Sequence, residues 1–142
     1  MSKGKTAKQK PDRKRLRDML FFMKQTRELE TRIERKLYRQ GKIVGGVYVG
    51  RGQEAVTVGA SIHLRKEDWV CPSHRDMGAF LIRGVPLQSI LAQYMGRRTG
   101  LTRGRDANMH MGSLDHHLIA REVRHQRPLG AVGYVADPPP LA

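Results

Sequence analysis

From Leu16 to Leu37 the apolar side chains Met19, Leu20, Met23, Leu29, Ile33 and Leu37 recur mostly three or four positions apart. Glu28, Arg32, Arg35 and Lys36 fall between them, so the pattern predicts one long amphipathic helix. Gly41, directly after "LYRQ", is its expected terminator, because glycine takes the left-handed cap conformation without strain. The next stretch, "GKIVGGVYVG", is rich in Val and Ile but punctuated by glycine, and reads as extended or looping chain rather than a regular strand.

Small residues dominate "QEAVTVGASIHL", where Ala55, Val58, Gly59 and Ile62 share a face and predict a slim helix packed closely on a neighbour. "DWVCPS" predicts a short buried strand ending at Pro72, with Cys71 as a small buried strand residue. The loop "SHRDMG" would then lie at the carboxyl end of that strand, the edge where open alpha/beta sheets bind ligands. One or two helical turns follow in "MGAFLIRG", closed by Gly84, and another helix runs from Pro86 to Gly96. Residues 97–113 hold three glycines and few large apolar groups, which predicts a long ordered loop. The fold class expected from this order is α/β.

Charge changes the picture at the two ends. The formal net charge is +14, from 27 Lys and Arg against 13 Asp and Glu. Between Lys3 and Arg17 there are eight basic residues, one acid, and nothing apolar larger than alanine before Leu16. Residues 1–14 are therefore expected to be a disordered basic tail, because such a segment cannot offset its ordering entropy. Residues 15–120 are the expected folded body. Residues 121–142 lack any period, carry four of the seven prolines, and read as a discordant, disordered or out-of-frame end. A single cysteine rules out an internal disulfide, and the sequence contains neither a membrane-length apolar run nor a signal-peptide core. A cytoplasmic protein is the resulting expectation.

Several clusters carry candidate chemistry. Ser73, His74 and Asp76 have the residue types of a nucleophilic triad, but triads are assembled from separate parts of a fold, and near neighbours seldom converge. An anion clamp suits the same residues better: Arg75 and His74 offer donors beside a glycine-bearing turn, as a diphosphate requires. "GRGQEA" formally matches the dinucleotide fingerprint, although no acidic residue ends a second strand at the required place. His110, Asp115, His116 and His117 are all metal-ligand types, without the spacing of a zinc motif. The methionines of "NMHM" fit either core or a mobile flap.

Taken together, "YRQGKIVGGVYVGRGQEAVTVGA", "LRKEDWVCPSHRDMGAFLIRGV" and "ILAQYMGRRTGLTRGRDANMHMG" resemble the amino-terminal part of the alpha subunit of thiamine diphosphate-dependent 2-oxo acid dehydrogenases, the decarboxylating first components of the pyruvate and branched-chain complexes. The resemblance covers about residues 15–118. It implies a partial thiamine diphosphate-binding fold, an incomplete parallel sheet flanked by helices, with His74 and Arg75 matching the family's tyrosine and arginine at the cofactor diphosphate. His110 falls in the loop leading to the cofactor and is implied as an active-site residue, while Gln53 and Glu54 match the family's "GQEA". Tyr48 stands where pyruvate-type members often have histidine, which leaves the choice of oxo acid open.

The family's Gly-Asp-Gly motif and its following asparagine, which hold magnesium, do not occur in this sequence. The resemblance thus implies a fragment, weak in binding thiamine diphosphate and magnesium and inactive alone. Its implied partners are a beta subunit, in assemblies of two alpha and two beta chains, and a lipoyl-bearing acyltransferase. A contrasting reading is a non-catalytic basic protein that binds a partner or nucleic acid, against which the sparse aromatic residues count.

Overall fold

The computed structural model describes residues 12–43 and 45–119. The expected basic tail, apart from its last three residues, and the discordant end lie outside them.

Helix α1 spans Arg13–Arg32 and is capped by Asp12, whose carboxylate accepts the Lys14 N–H at 2.9 Å. It continues as a π-helical segment, Ile33–Tyr38. Helix α2 covers Glu54–Ser61, α3 Met77–Ile82 and α4 Leu87–Tyr94, and a 3₁₀ turn occupies Leu114–His116. Three of these elements stop in the same way. Gly41, Gly84 and Gly96 all have positive φ. Each donates its N–H three residues back, to Tyr38, Leu81 and Gln93, while the following residue reaches five back, to Leu37, Phe80 and Ala92. These paired bonds are Schellman caps, at the glycines the sequence picks out.

The expected α/β class is overturned. Among the described residues there is no strand, only isolated bridges from Val70 and Ser113 to Leu118. Val70 N–H bonds His117 O and Ile119 N–H bonds Val70 O, both at 2.9 Å, and the ladder goes no further. Asp68 is drawn into a turn by its N–H bond to Arg65 O, and Pro72 has no N–H to extend pairing. Cys71, expected to be buried, is exposed, because no neighbouring strand covers it.

Leu29, Ile33, Ile43, Met77, Phe80, Leu81, Val85, Ile90, Tyr94, Met109, Met111 and Leu118 form one core. Both loop methionines are therefore core residues, each side of an outward-facing His110. The apolar stripe of α1 is buried only in its second half, and Leu16, Leu20 and Phe21 stay exposed. Helix α2 is rotated from the expected face: Glu54, Thr57, Val58 and Ser61 are buried, Ala55 is exposed, and Gly59 and Ile62 are only half-buried. Glu54 turns inward because Arg27 of α1 meets its carboxylate, Nε to Oε1 at 2.5 Å and a second nitrogen to Oε2 at 2.8 Å. Gly78 lets α3 sit on this seam, since a Cβ there would lie 3.1–3.3 Å from Val58, Thr57 and Thr26.

Candidate functional site

The turn carrying His74 and Arg75 is built by the side chain of Asp76. Its Oδ2 accepts the Ser73 N–H at 2.8 Å, its own N–H bonds Ser73 O, and its Oδ1 accepts the Thr57 hydroxyl at 3.1 Å. Ser73 Oγ accepts the Arg75 N–H at 3.3 Å. The Asp76 carboxylate is thus spent on the backbone and on α2, and no Ser–His–Asp relay forms. The backbone is held while the two donors stay available. Arg75 is exposed and its guanidinium has no acceptor among the described residues, and half-buried His74 stands edge-on to Tyr48 with ring centroids 5.5 Å apart.

The segment 45–50 lies beneath this turn. Gly50 is buried with its Cα against the Arg75 carbonyl, and a Cβ at that position would overlap the carbonyl oxygen. Its N–H donates to Glu30 Oε1 at 2.9 Å. Glu30 is 2% exposed, and its Oε2, like the Thr26 hydroxyl, has no partner among the described residues. Burial pushes this carboxyl up to about 7, outweighing the lowering effect of the Gly50 N–H. Glu54 goes the other way: the Arg27 guanidinium holds its carboxyl down at about 2.

His110 is separate from His74 and Arg75. It faces outward and pairs with Asp106 at 3.3 Å. The two parts communicate through the glycine segment, because Asn108 Nδ2 donates to Gly46 O and the Tyr48 ring packs over Gly46. Sequence reasoning missed the organiser of this loop, Gln93. Fully buried on α4, its amide nitrogen donates to Asp106 O at 3.2 Å and its oxygen accepts both Thr102 N–H and hydroxyl at 2.9 Å. Its spacing of three from Ile90, a buried position on the same helix, was the available signal. Glu30 was missed likewise, three residues before Ile33.

The remaining clusters resolve into structure. In "GRGQEA", the Glu54 carboxylate itself accepts the Gly52 N–H at 3.0 Å, putting negative charge where a nucleotide phosphate would sit at the start of α2. His116 bonds Ser113 Oγ at 2.7 Å, and His117 bonds Lys66 O and stacks against Trp69. No group of three His, Cys, Asp or Glu able to hold a metal ion occurs among the described residues. His74 and Arg75 carry donors of the kind a diphosphate takes, whereas the described residues hold no such group of ligands for a cation. A cleft of about 350 Å³ lined by Lys66, Arg83, His116 and His117 contains neither His74 nor Arg75. No helix among the described residues is long and apolar enough to cross a membrane.

Comparison with known proteins bears directly on this arrangement. The model of the family described as "Dehydrogenase E1 component" matches residues 22–136. The chain is 36% identical over 107 residues to the pyruvate dehydrogenase E1 component subunit alpha of Porphyra purpurea, covering 75% of this chain and 28% of that protein. It is 35% identical over 119 residues to the mitochondrial pyruvate dehydrogenase E1 component subunit alpha of Chaetomium thermophilum, covering 84% and 29%. The alpha subunit of the acetoin:2,6-dichlorophenolindophenol oxidoreductase of Bacillus subtilis is 34% identical over 84 residues, 59% of this chain and 25% of that protein. The chain thus spans less than a third of the length of these relatives. Since the family match takes in most of the sequence and these three relatives are alpha subunits, this chain belongs to the dehydrogenase E1 component family, on its alpha-subunit side.

Proposed function

We propose that residues 15–120 form the amino-terminal part of a thiamine diphosphate-dependent 2-oxo acid dehydrogenase alpha subunit and supply its diphosphate contacts. The observation that carries this reading is the turn 73–76, whose backbone is tied at Ser73, Arg75 and Asp76 while the Arg75 guanidinium has no acceptor among the described residues. A guanidinium held this way meets two phosphate oxygens in a fork geometry at little cost in ordering. His74 adds one more N–H donor, and its contact with Tyr48 fixes the ring plane. His110, outward-facing on its loop, is the residue we place nearest the reacting end of the cofactor.

Thiamine diphosphate, when bound, supplies the carbon nucleophile and electron sink for oxidative decarboxylation of a 2-oxo acid. What this chain does in that reaction is bind and orient. Cation ligands and the rest of the pocket would come from further alpha-subunit chain and from a beta subunit, with a lipoyl-bearing acyltransferase receiving the acyl group. The fragment is accordingly inactive alone. Titration with thiamine diphosphate, with and without magnesium, followed by backbone amide shifts tests the reading. Perturbations centred on 73–76 at millimolar cofactor support it. Unmoved His74 and Arg75 signals at that concentration would remove it.

A further inference from the structure

Beyond these contacts, we propose that Glu30 is a positioning residue: through the Gly50 amide it sets where the His74–Arg75 turn stands. This rests on the reading of Arg75 as a diphosphate contact. The chain of contacts is short. Glu30 Oε1 accepts Gly50 N–H at 2.9 Å; Gly50 O accepts Gln53 N–H at 2.8 Å; and the Gly50 Cα bears on the Arg75 carbonyl, with no room for a side chain. Gly50 is thus the point at which α1, the start of α2 and the Arg75 turn are registered against one another.

A carboxylate is a costly residue for that position. It is 2% exposed, one oxygen has no partner among the described residues, and an apolar side chain would fill the same face of α1 without desolvating a charge. What an apolar side chain lacks is an acceptor for Gly50, whose N–H would otherwise be buried without a partner. The groups whose charge acts on Glu30 are Glu54 and Arg27 across the α1–α2 seam and Arg51 next to Gly50. Tyr94 from α4 feels the Glu30 charge in turn, its hydroxyl pushed up chiefly by burial. Arg27 and Arg51 are already committed to Glu54 and Glu34, so neither neutralises Glu30 by direct contact. The carboxyl therefore titrates close to neutrality with Gly50 as its reporter.

The experiment uses the full chain, amide shifts of Gly50 and residues 73–76, and inorganic pyrophosphate as the probe. Glu30→Ala is expected to move the 73–76 amides and weaken pyrophosphate at Arg75 about tenfold. Glu30→Gln, which keeps an acceptor oxygen, should restore both while abolishing the near-neutral titration of the Gly50 amide. Gly50→Ala, which drives a methyl into the Arg75 carbonyl, should lose affinity like Glu30→Ala. Arg75→Ala separates the two levels of argument. If it binds pyrophosphate as the native chain does, the diphosphate reading fails whatever Glu30 does. If it loses binding while folded Glu30→Ala leaves the 73–76 amides and the affinity unchanged, the positioning role is overturned and the site stands. Should Glu30→Ala not fold, Glu30→Gln and Gly50→Ala decide, and normal binding by folded Gly50→Ala overturns the proposal.

Discussion

Arg83 and Arg75 are eight residues apart and are used in opposite ways. Arg83 spends its guanidinium inside the protein: Nε donates to His116 O at 3.0 Å, and the terminal nitrogens reach Arg65 O, Lys66 O and Asp68 O at 2.7–2.8 Å. It ties the 65–68 turn to the 113–118 corner, a region with little other pairing than the bridges at Leu118. At Arg75 the roles are reversed. There the backbone is held by Asp76, Ser73 and Gly50 and the side chain is left over. A cation whose hydrogen bonds are all made within the fold is a structural tie, and one mounted on a tied backbone with no acceptor among the described residues is the one we propose for a ligand.

Arg83→Ala is the largest expected break in that contrast. It leaves four carbonyls without their charged donor and should cost on the order of 3 kcal/mol, read as a lowered denaturation midpoint. Arg83→Lys should recover only a fraction, since a point charge cannot reach all four oxygens.

The two carboxylates below the Arg75 turn give the next effect, through pH. Glu30 sits at about 7, above its ordinary value of 4.5, so its contribution to stability is fully present below pH 4.5 and is lost as pH rises through 7. Glu54, held at about 2 by Arg27, contributes stability above pH 4.5 that is lost as pH falls through 2. Urea midpoints measured from pH 4.5 to 7.5 should therefore fall by the equivalent of about 2 kcal/mol, and Glu30→Gln should flatten that slope. The Arg27→Met chain should lose stability at neutral pH and show a raised Glu54 titration, read as a shift of acid denaturation to higher pH.

Gln93→Leu sharpens the comparison at the loop. It removes the acceptor for Thr102 and the donor to Asp106, for an expected loss of about 1–2 kcal/mol and faster amide exchange across 101–106. Smallest in stability is Arg75→Ala, within about 0.5 kcal/mol of the native chain, because an exposed guanidinium with no partner among the described residues ties none of them together. Its effect should appear only in binding of a diphosphate. A drop as large as that of Arg83→Ala would abolish the distinction between the two arginines.

The local part of this molecule was legible. The long helix, the shorter ones after Gln53, Asp76 and Pro86, and the stops at Gly41, Gly84 and Gly96 depend on spacing and on backbone freedom within six residues, and these are written in the order of the side chains. The resemblance carried by "GQEA", "PSHRD" and "NMHM" likewise survives comparison with known relatives.

What the pattern of residues could not decide is who packs against whom. "DWVCPS" has the composition of a strand, yet a strand exists only through its neighbours, and Val70 finds one bridge and no ladder. The inward face of α2 was turned by the Arg27–Glu54 pair, a contact across 27 residues that outweighs the small-residue stripe. Glu30 and Gln93 look like surface residues by type and are among the most buried side chains in the protein. Spacing and glycine placement are short-range properties and stay with the sequence. Burial of a charge, completion of a ladder and the choice of face are set by long-range contacts, and only the packed structure supplies those.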